Sequence, residues 1–153
     1  MLFRSVSVFC KGGSATLFGS GATTYSWSTG ATTSSVTVTP TSTSIYTVTG
    51  ANQFSCTNTN TFQVSVFAPT VSISGPTAIC IGQSATFNGS SANSYSWSTG
   101  WTGQALTVSP NTSTTYSLSI TSTSNNIVCP AGTSVTLVVN PNPTVTEIGR
   151  AHV

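Results

Sequence analysis

The chain has 153 residues, of which three are Lys or Arg, one is Asp or Glu and one is His. Its 27 Ser and 30 Thr make up more than a third of the length, while 37% of the residues are apolar and 9% are aromatic. The apolar and aromatic content excludes a disordered chain, and the low charge excludes the basic patch on which nucleic-acid binding depends.

The ionisable side chains lie near the two ends of the chain, so residues 1–146 contain no Asp, Glu or His. General acid–base catalysis recruits these side chains, and metal ions bind to carboxylates, imidazoles or clustered thiolates. The sequence therefore predicts a protein that is not an enzyme and that holds no metal or cofactor. The ionisable residues concerned are Arg4, Lys11, Glu147, Arg150 and His152.

The two ends of the chain are read separately from its body. The apolar stretches reach only four or five residues, whereas a membrane span needs about 20, so no membrane insertion is expected. Residues 147–153, with the sequence Glu-Ile-Gly-Arg-Ala-His-Val, break from the Ser/Thr-rich composition and resemble the translation of a sequencing adapter. We treat this tail as an artefact and the remainder as a fragment of a longer protein.

Apolar residues alternate with Ser, Thr or Gly along the chain, and no segment shows helical spacing. Short alternating segments about ten residues apart, separated by Gly, Pro and Asn, are typical of an antiparallel β-sandwich. Val71 to Ser74 is the first predicted strand of the second half of the chain, whereas the corresponding stretch of the first half, Phe3 to Val8, aligns poorly with it. The first four strands after the first cysteine are predicted at residues 14–20, 23–28, 35–39 and 45–50.

The same series of elements occurs twice. Cys10-Lys-Gly-Gly-Ser-Ala-Thr recurs 70 residues later as Cys80-Ile-Gly-Gln-Ser-Ala-Thr, and Tyr25-Ser-Trp-Ser-Thr-Gly recurs unchanged from Tyr95. Cys56 matches Cys129 at an offset of 73, so one loop is longer in the second copy.

Pro69-Thr-Val-Ser returns as Pro143-Thr-Val-Thr, which marks the start of a third copy. The repeat therefore predicts a first domain with an incomplete first strand, a second domain, and the beginning of a third. Their predicted ranges are 1–68, 69–142 and 143–146.

The cysteines fall two to a copy. Four strands are predicted between the cysteines of a copy, and an even number of up-and-down strands returns the chain to the end where it began. We therefore expect Cys10–Cys56 and Cys80–Cys129 disulfides, which imply an oxidising compartment outside the cytoplasm. Zinc binding by thiolates and free buried thiols are the alternatives that the sequence leaves open.

Aromatic residues occupy the apolar positions of several predicted strands. An aromatic pair two residues apart can stack on a sugar ring, but more often fills the core of a sandwich. We interpret six of these residues as core: Tyr25, Trp27, Tyr46, Tyr95, Trp97 and Tyr116.

Trp101 differs from these aromatics. It follows the turn glycine Gly100 and replaces Ala31 of the first copy, so the repeat does not require an aromatic there. Its two interpretations are an exposed platform for a sugar, and a cover for a domain edge or an interdomain joint.

The order Cys-x-Gly-x-Ser-Ala-Thr, Tyr-Ser-Trp-Ser-Thr-Gly, Val-Thr-Val-Thr-Pro, Ile-Tyr-Thr-Val-Thr-Gly and a late Cys resembles the PKD-like and Ig-like tandem repeats of large secreted proteins of Bacteroidota. The resemblance covers nearly all of residues 10–146. It implies an all-β fold of tandem Ig-like sandwich domains in a secreted or cell-surface, adhesin-like protein. Trp27-Ser-Thr-Gly and Trp97-Ser-Thr-Gly lack the acidic residues of true PKD motifs, which argues against a calcium site.

The sequence thus predicts a non-enzymatic structural or adhesive module, a spacer or stalk of an extracellular bacterial protein. Its expected partners are neighbouring repeats of the same chain, surface glycans and other cell-surface proteins. The alternative is a carbohydrate-binding accessory module that uses Trp101 as a contact residue.

Overall fold

The structure, a computed structural model, describes residues 7–146 and residue 149, and its regular elements are all β-strands. The expected irregularity near residues 3–6 and most of the C-terminal tail lie outside the described residues. The strands of the first copy are β1 (Ser7–Cys10), β2 (Ala15–Phe18), β3 (Thr24–Trp27), β4 (Ser35–Val38), β5 (Ser44–Ala51) and β6 (Thr57–Phe67).

The second copy contributes the remaining strands. They are β7 (Ile73–Ser74), β8 (Ala78–Cys80), β9 (Ala85–Gly89), β10 (Ser94–Trp97), β11 (Ala105–Val108), β12 (Thr114–Ser124) and β13 (Ile127–Asn140). Among the described residues no helix is long and apolar enough to cross a membrane.

Each copy builds two sheets. In the first copy they have the orders β1-β6-β5-β3 and β2-β4, and in the second β8-β13-β12-β10 and β7-β9-β11. Most neighbours whose register is resolved are antiparallel, as the sequence predicts, but β1 runs parallel to β6 and β8 runs parallel to β13.

In the second copy the parallel pair arises because the first strand changes sheets. β7 pairs with β9 in one sheet, and β8, a few residues later, pairs with β13 in the other. The change occurs next to Gly75, whose φ of 154° L side chains rarely adopt, and a Cβ there would lie 2.7 Å from the Phe87 ring. This short kink carries no periodicity, so the sequence pattern did not reveal it.

This arrangement is an immunoglobulin-like sandwich. The first, second and fourth main strands (β7, β9 and β11) form one sheet, and the third and the last two strands (β10, β12 and β13) form the other, as in immunoglobulin domains. A buried tryptophan on the third strand is also typical of that fold. In the second copy one core contains side chains from both sheets, among them Phe87, Leu106, Leu118 and Leu137.

The chain divides into two compact units that do not coincide with the two copies. One unit contains the described residues up to Pro69 together with Thr121–Pro130, which is the tip of the β12–β13 hairpin. The other contains Thr70–Ile120 and the described residues from Ala131 onward.

The cores of the two copies differ in size. The core of the second copy has nine buried residues, four of them fully buried, whereas that of the first copy has five. Because burial of one large apolar side chain stabilises a fold by about 1.5–3 kcal/mol, the first copy depends more on other restraints. The five buried residues of the first copy are Leu17, Trp27, Val38, Val48 and Val64.

Hydroxyl pairs connect strands on the outer faces of the sheets. Thr16 and Thr37 hydrogen-bond across β2 and β4 with their hydroxyl oxygens 3.0 Å apart, and the equivalent Thr86 and Thr107 lie 2.9 Å apart. Such cross-strand pairs contribute about 0.2–1 kcal/mol each, and they do so without charge. The Thr-rich composition therefore has a structural use at these positions.

The predicted cysteine pairing is wrong. The structure joins Cys10 to Cys129, with their Cα atoms 5.4 Å apart, and leaves Cys56 and Cys80 as free thiols. The predicted Cys10–Cys56 and Cys80–Cys129 bonds are both absent from the described chain.

The length of the last strand explains the error. Cys10 lies opposite Phe67 at the far end of β6, whereas Cys56 directly precedes the first residue of this 11-residue strand. At about 3.3 Å per residue the two cysteines lie about 36 Å apart, and a disulfide tolerates a Cα separation of about 7 Å at most. The same spacing along β13 separates Cys129 from Asn140, which pairs with Cys80.

The strand count failed because one reversal of the chain forms no strand. The four strands predicted between Cys10 and Cys56 are present, but the chain turns back after β3. The Gly30 amide donates to the Trp27 carbonyl at 2.8 Å, and the Trp27 amide donates to the Ala31 carbonyl at 2.8 Å. The reversal adds a fifth pass of the chain to the four strands between Cys10 and Cys56. Because five is odd, Cys56 lies at the opposite end of the sandwich from Cys10.

We expect the Cys10→Ser substitution to lower the free energy of unfolding by up to about 5 kcal/mol, because it opens a covalent loop of 119 residues. Cys80→Ser is the matched control, since Cys80 occupies the same position of the repeat but is free, and its effect should stay below about 0.5 kcal/mol. Urea denaturation without reductant measures both. Equal effects of the two substitutions would contradict the bond.

Candidate functional site

The repeated Tyr-Ser-Trp-Ser-Thr-Gly motif is used to hold the fold. The hydroxyl of Tyr25 accepts a hydrogen bond from the Ala22 amide at 3.2 Å, and that of Tyr95 accepts one from the Ala92 amide at 2.9 Å. Each tyrosine therefore closes the loop that precedes its strand. Both rings are half-buried and pack against the core of their own copy.

The tryptophans of the motif are buried more deeply than its tyrosines. Trp27 and Trp97 are 3% and 2% exposed. The indole N–H of Trp27 donates to the Thr33 carbonyl at 2.8 Å, and that of Trp97 donates to the Gly103 carbonyl at 2.9 Å. A buried indole with its N–H satisfied is a packing residue, and it offers no surface to a ligand.

The serine and glycine of the motif also have structural roles. The Ser28 hydroxyl accepts from the Thr47 amide at 3.1 Å, and the Ser98 hydroxyl accepts from the Ser117 amide at 3.2 Å. Gly30 has a φ of 87°, a conformation in which glycine carries no steric cost. The exact repetition of this motif thus reflects the fold.

The remaining aromatics assigned to the core, Tyr46 and Tyr116, also pack inward. Tyr116 is 6% exposed and lies 5.7 Å from Phe87 between ring centroids. Tyr46 is half-buried against the core of the first copy.

Trp101 lies at the surface of the unit that contains the second core. Its side chain is 54% exposed, and its indole N–H donates to the Ala105 carbonyl at 2.6 Å. A Cβ at Gly103 would lie 2.6 Å from the indole nitrogen, so the ring rests directly on this glycine. The ring is therefore held in one orientation with its other face open.

An open cavity of about 500 Å³ adjoins Trp101, which is a volume in the range of ligand sites. Its lining is small and uncharged and includes Thr99, Leu106 and Thr107. The side chain of the predicted contact residue thus stands beside a depression.

A second cleft, of about 530 Å³, lies in the other unit and was not predicted from the sequence. We call it the Asn cleft. Its lining combines the rings of Phe18, Tyr25 and Phe62 with the amides of Asn58 and Asn60.

The Asn cleft exists because β6 continues its inward face with polar residues. Asn60 lies opposite Val48, a core residue, and shares its face of the strand with Val64, which is 1% exposed. In the second copy the matching positions hold Ala131, which packs against the core, and Thr133. The Asn residues therefore belong to the first copy alone.

The polar groups of the Asn cleft are neutral. The side-chain oxygens of Asn58 and Asn60 accept hydrogen bonds from the amides of Thr59 and Thr61 at 2.9 and 2.8 Å. Because these side-chain oxygens already accept hydrogen bonds, each of the two Asn side chains offers its NH₂ group as a donor. Phe18 occupies the position that Asn88 has in the second copy. Its side chain is 70% exposed, so the cleft also has an exposed aromatic ring.

A comparison of the two copies position by position is the signal that would have found this cleft. The alternation that marks a strand begins only at Phe62, so the Thr-Asn-Thr-Asn segment before it lacks an apolar pattern.

Among the described residues no group of three or more His, Cys, Asp or Glu side chains is placed to hold a metal ion.

No protein-family model matches the chain, and no curated protein matches it. It is similar to the solved structure of murine CEACAM1b, at 12% identity and a TM-score of 0.36 over 87% of this chain and 96% of the other. It is similar also to the N-terminal four Ig domains of Dscam1 isoform 8.4, at 14% identity and a TM-score of 0.35 over 92% of this chain and 45% of the other.

A third similar structure is SGBP-B of the Bacteroides ovatus mixed-linkage glucan utilization locus, in complex with a mixed-linkage heptasaccharide. It is 17% identical with a TM-score of 0.26, over 92% of this chain and 44% of the other. The chain spans less than half the length of the second and third structures. The Ig-like fold is therefore assigned from the strand order, to which these scores add nothing.

We expect Trp97→Phe to lower the free energy of unfolding by about 1–3 kcal/mol, because the half-buried Gly103 carbonyl loses its donor and the smaller ring fills less of the core. Trp101→Phe should cost less than about 0.5 kcal/mol, since the ring is half-exposed. Urea denaturation measures both changes, and acrylamide should quench one tryptophan of three in the native chain and none in the Trp101→Phe variant. Equal stability losses would contradict this placement of the two rings.

Proposed function

We propose that the chain is a non-enzymatic structural module, a spacer of an extracellular or cell-surface protein. The observation that carries the proposal is the Cys10–Cys129 bond, which closes a covalent loop around most of the described chain. A disulfide between distant parts of a chain suits an oxidising compartment outside the cytoplasm. The absence of Asp, Glu and His from residues 1–146 supports a role without catalysis.

The bond matters for a spacer because it limits how far the module can be stretched. When tension is applied to the two ends of the chain, only residues outside the loop extend while the bond is intact. The segment between the two cysteines, which are 119 residues apart, bears no force, even after the sandwich unfolds. A module of this kind keeps its length close to constant.

Single-molecule stretching of the chain between its ends tests the spacer role. Without reductant we expect the loop to stay closed, and after reduction the unfolded chain should gain about 400 Å, from about 3.4 Å for each residue of the loop. The Cys10→Ser variant should show the long extension in both conditions. An unmodified chain that reaches the full length without reductant would contradict the proposal.

A second candidate function is the binding of a neutral glycan. Two observations favour it: the exposed ring of Trp101 beside a cavity, and the Asn cleft with its open Phe18 ring and neutral amides. Aromatic faces pack against the C–H faces of sugar rings, and amides hydrogen-bond with sugar hydroxyls, so neither site needs a charge.

Affinity electrophoresis against a panel of neutral polysaccharides tests the second candidate. If the Asn cleft binds, we expect Phe18→Ala to weaken binding about tenfold, which corresponds to 1.4 kcal/mol, and Trp101→Ala to leave it unchanged. The reverse pattern would locate binding at Trp101. Ile45→Ala is the matched control, because Ile45 is 68% exposed and lines neither cavity. If the unmodified chain binds no polysaccharide, glycan binding is excluded and the spacer role remains.

A further inference from the structure

The two free cysteines are repeat counterparts of the two bonded ones. We call Cys10 and Cys80 the early cysteines, and Cys56 and Cys129 the late cysteines. The observed bond joins an early cysteine to the late cysteine of the copy that follows. Cys80, an early cysteine, and Cys56, a late one, remain unpaired.

The early cysteines have the same backbone surroundings. Cys10 ends β1 opposite Phe67, and Cys80 ends β8 opposite Asn140, each at the end of the last strand of its copy. The residue after Cys10 donates its amide to the Phe67 carbonyl at 3.0 Å, and the residue after Cys80 donates its amide to the Asn140 carbonyl at 3.0 Å. Cys80 is therefore held as Cys10 is held.

The turns after the early cysteines match as well. The carbonyl of Cys10 accepts from the Gly13 amide at 3.0 Å, and that of Cys80 accepts from the Gln83 amide at 3.1 Å. Gly12 and Gly82 sit within these turns with φ values of 92° and 86°. A local geometry that supports a bond at Cys10 is thus present at Cys80.

The late cysteines share their distance from the end of the last strand and differ in exposure. Each lies 11 residues before the residue that pairs with the early cysteine of its own copy, which prevents a bond within a copy. Cys129, which is bonded, is fully buried, whereas Cys56 is exposed. Cys56 is therefore a late cysteine that has no bonded partner and whose side chain is exposed.

We propose that each copy of the repeat is bonded to the next by an early-to-late disulfide, so that Cys80 bonds to the late cysteine of a following copy and Cys56 to the early cysteine of a preceding one. The Pro-Thr-Val joint that opens the second copy at Pro69 recurs at Pro143, directly after that copy. This covalent ladder is independent of glycan binding, and it extends to a longer array the restraint that Cys10–Cys129 applies here.

The bond forms by thiol–disulfide exchange with an oxidant of the disulfide class, such as oxidised glutathione. The thiolate of one cysteine attacks a sulfur of the oxidant and releases one thiol, which gives a mixed disulfide. The thiolate of the other cysteine then displaces the second thiol. The two cysteines lose two protons and two electrons, and the oxidant disulfide is reduced to two thiols.

The test uses the chain with residues 69–142 added once more in place of residues 143–153, so that the added copy begins at the natural Pro-Thr-Val joint. Cys56→Ser, and the early cysteine of the added copy changed to Ser, leave four cysteines. After refolding with oxidised and reduced glutathione, alkylation and intact mass count the free thiols. We expect none, and a peptide that links Cys80 to the added late cysteine.

Cys80→Ser in this extended chain is the matched control, and it should leave the added late cysteine open to one alkylation. Two free thiols in the extended chain, with Cys10–Cys129 still formed, would overturn the proposal. A linkage of the added late cysteine to a cysteine other than Cys80 would overturn it as well.

A second arm uses the chain at its natural length. The Cys56→Ser variant offers only Cys80 as a free thiol, and the Cys80→Ser variant offers only Cys56. At millimolar concentration in the same glutathione buffer, an equal mixture should give disulfide-linked dimers, at least tenfold more than either variant alone. Dimers at equal yield in all three samples would show unselective oxidation and would contradict the ladder.

Discussion

The length of the last strand is the constraint on which the other features depend. β3 and β4 have 4 residues each, whereas β6 has 11 and β13 has 14. At about 3.3 Å per residue, β6 is nearly three times as long as β3 or β4 and also exceeds its partner β5, which has 8 residues. The extra length places Cys56 far from Cys10, and it gives the first copy an inward face that the opposite sheet does not cover, where Asn58 and Asn60 lie.

The low charge determines how the surface and loops are held. Where most proteins use ion pairs, this chain uses hydroxyl pairs such as Thr16 with Thr37, and indole or amide donors to loop carbonyls such as Trp27 to Thr33. Neutral contacts of this kind depend little on salt, because no net charge is screened. These contacts should therefore hold the loops equally well at low and at high ionic strength.

Features with a local cause could be predicted from the sequence. The strand expected at 23–28 is Thr24–Trp27, because the alternation around Trp27 alone determines which side chains are buried. The disulfide could not be predicted, since the reversal after β3 is made by backbone hydrogen bonds that leave no periodic pattern. The Asn cleft was missed for a related reason: Asn60 lies on the strand face of the buried Val64, where apolar residues are expected, yet it is polar and exposed. The sequence shows that Trp101 differs from its counterpart Ala31, but only the structure shows its ring resting on Gly103.

The cysteines of one copy lie too far apart to bond to each other, and the observed bond joins different copies. Digestion of the unreduced chain with pepsin, followed by mass spectrometry, tests it directly, because acid keeps the thiols protonated and stops exchange. We expect a linked peptide that contains Cys10 and Cys129, with Cys56 and Cys80 in unlinked peptides. Linked peptides that join Cys10 to Cys56 or Cys80 to Cys129 would contradict it.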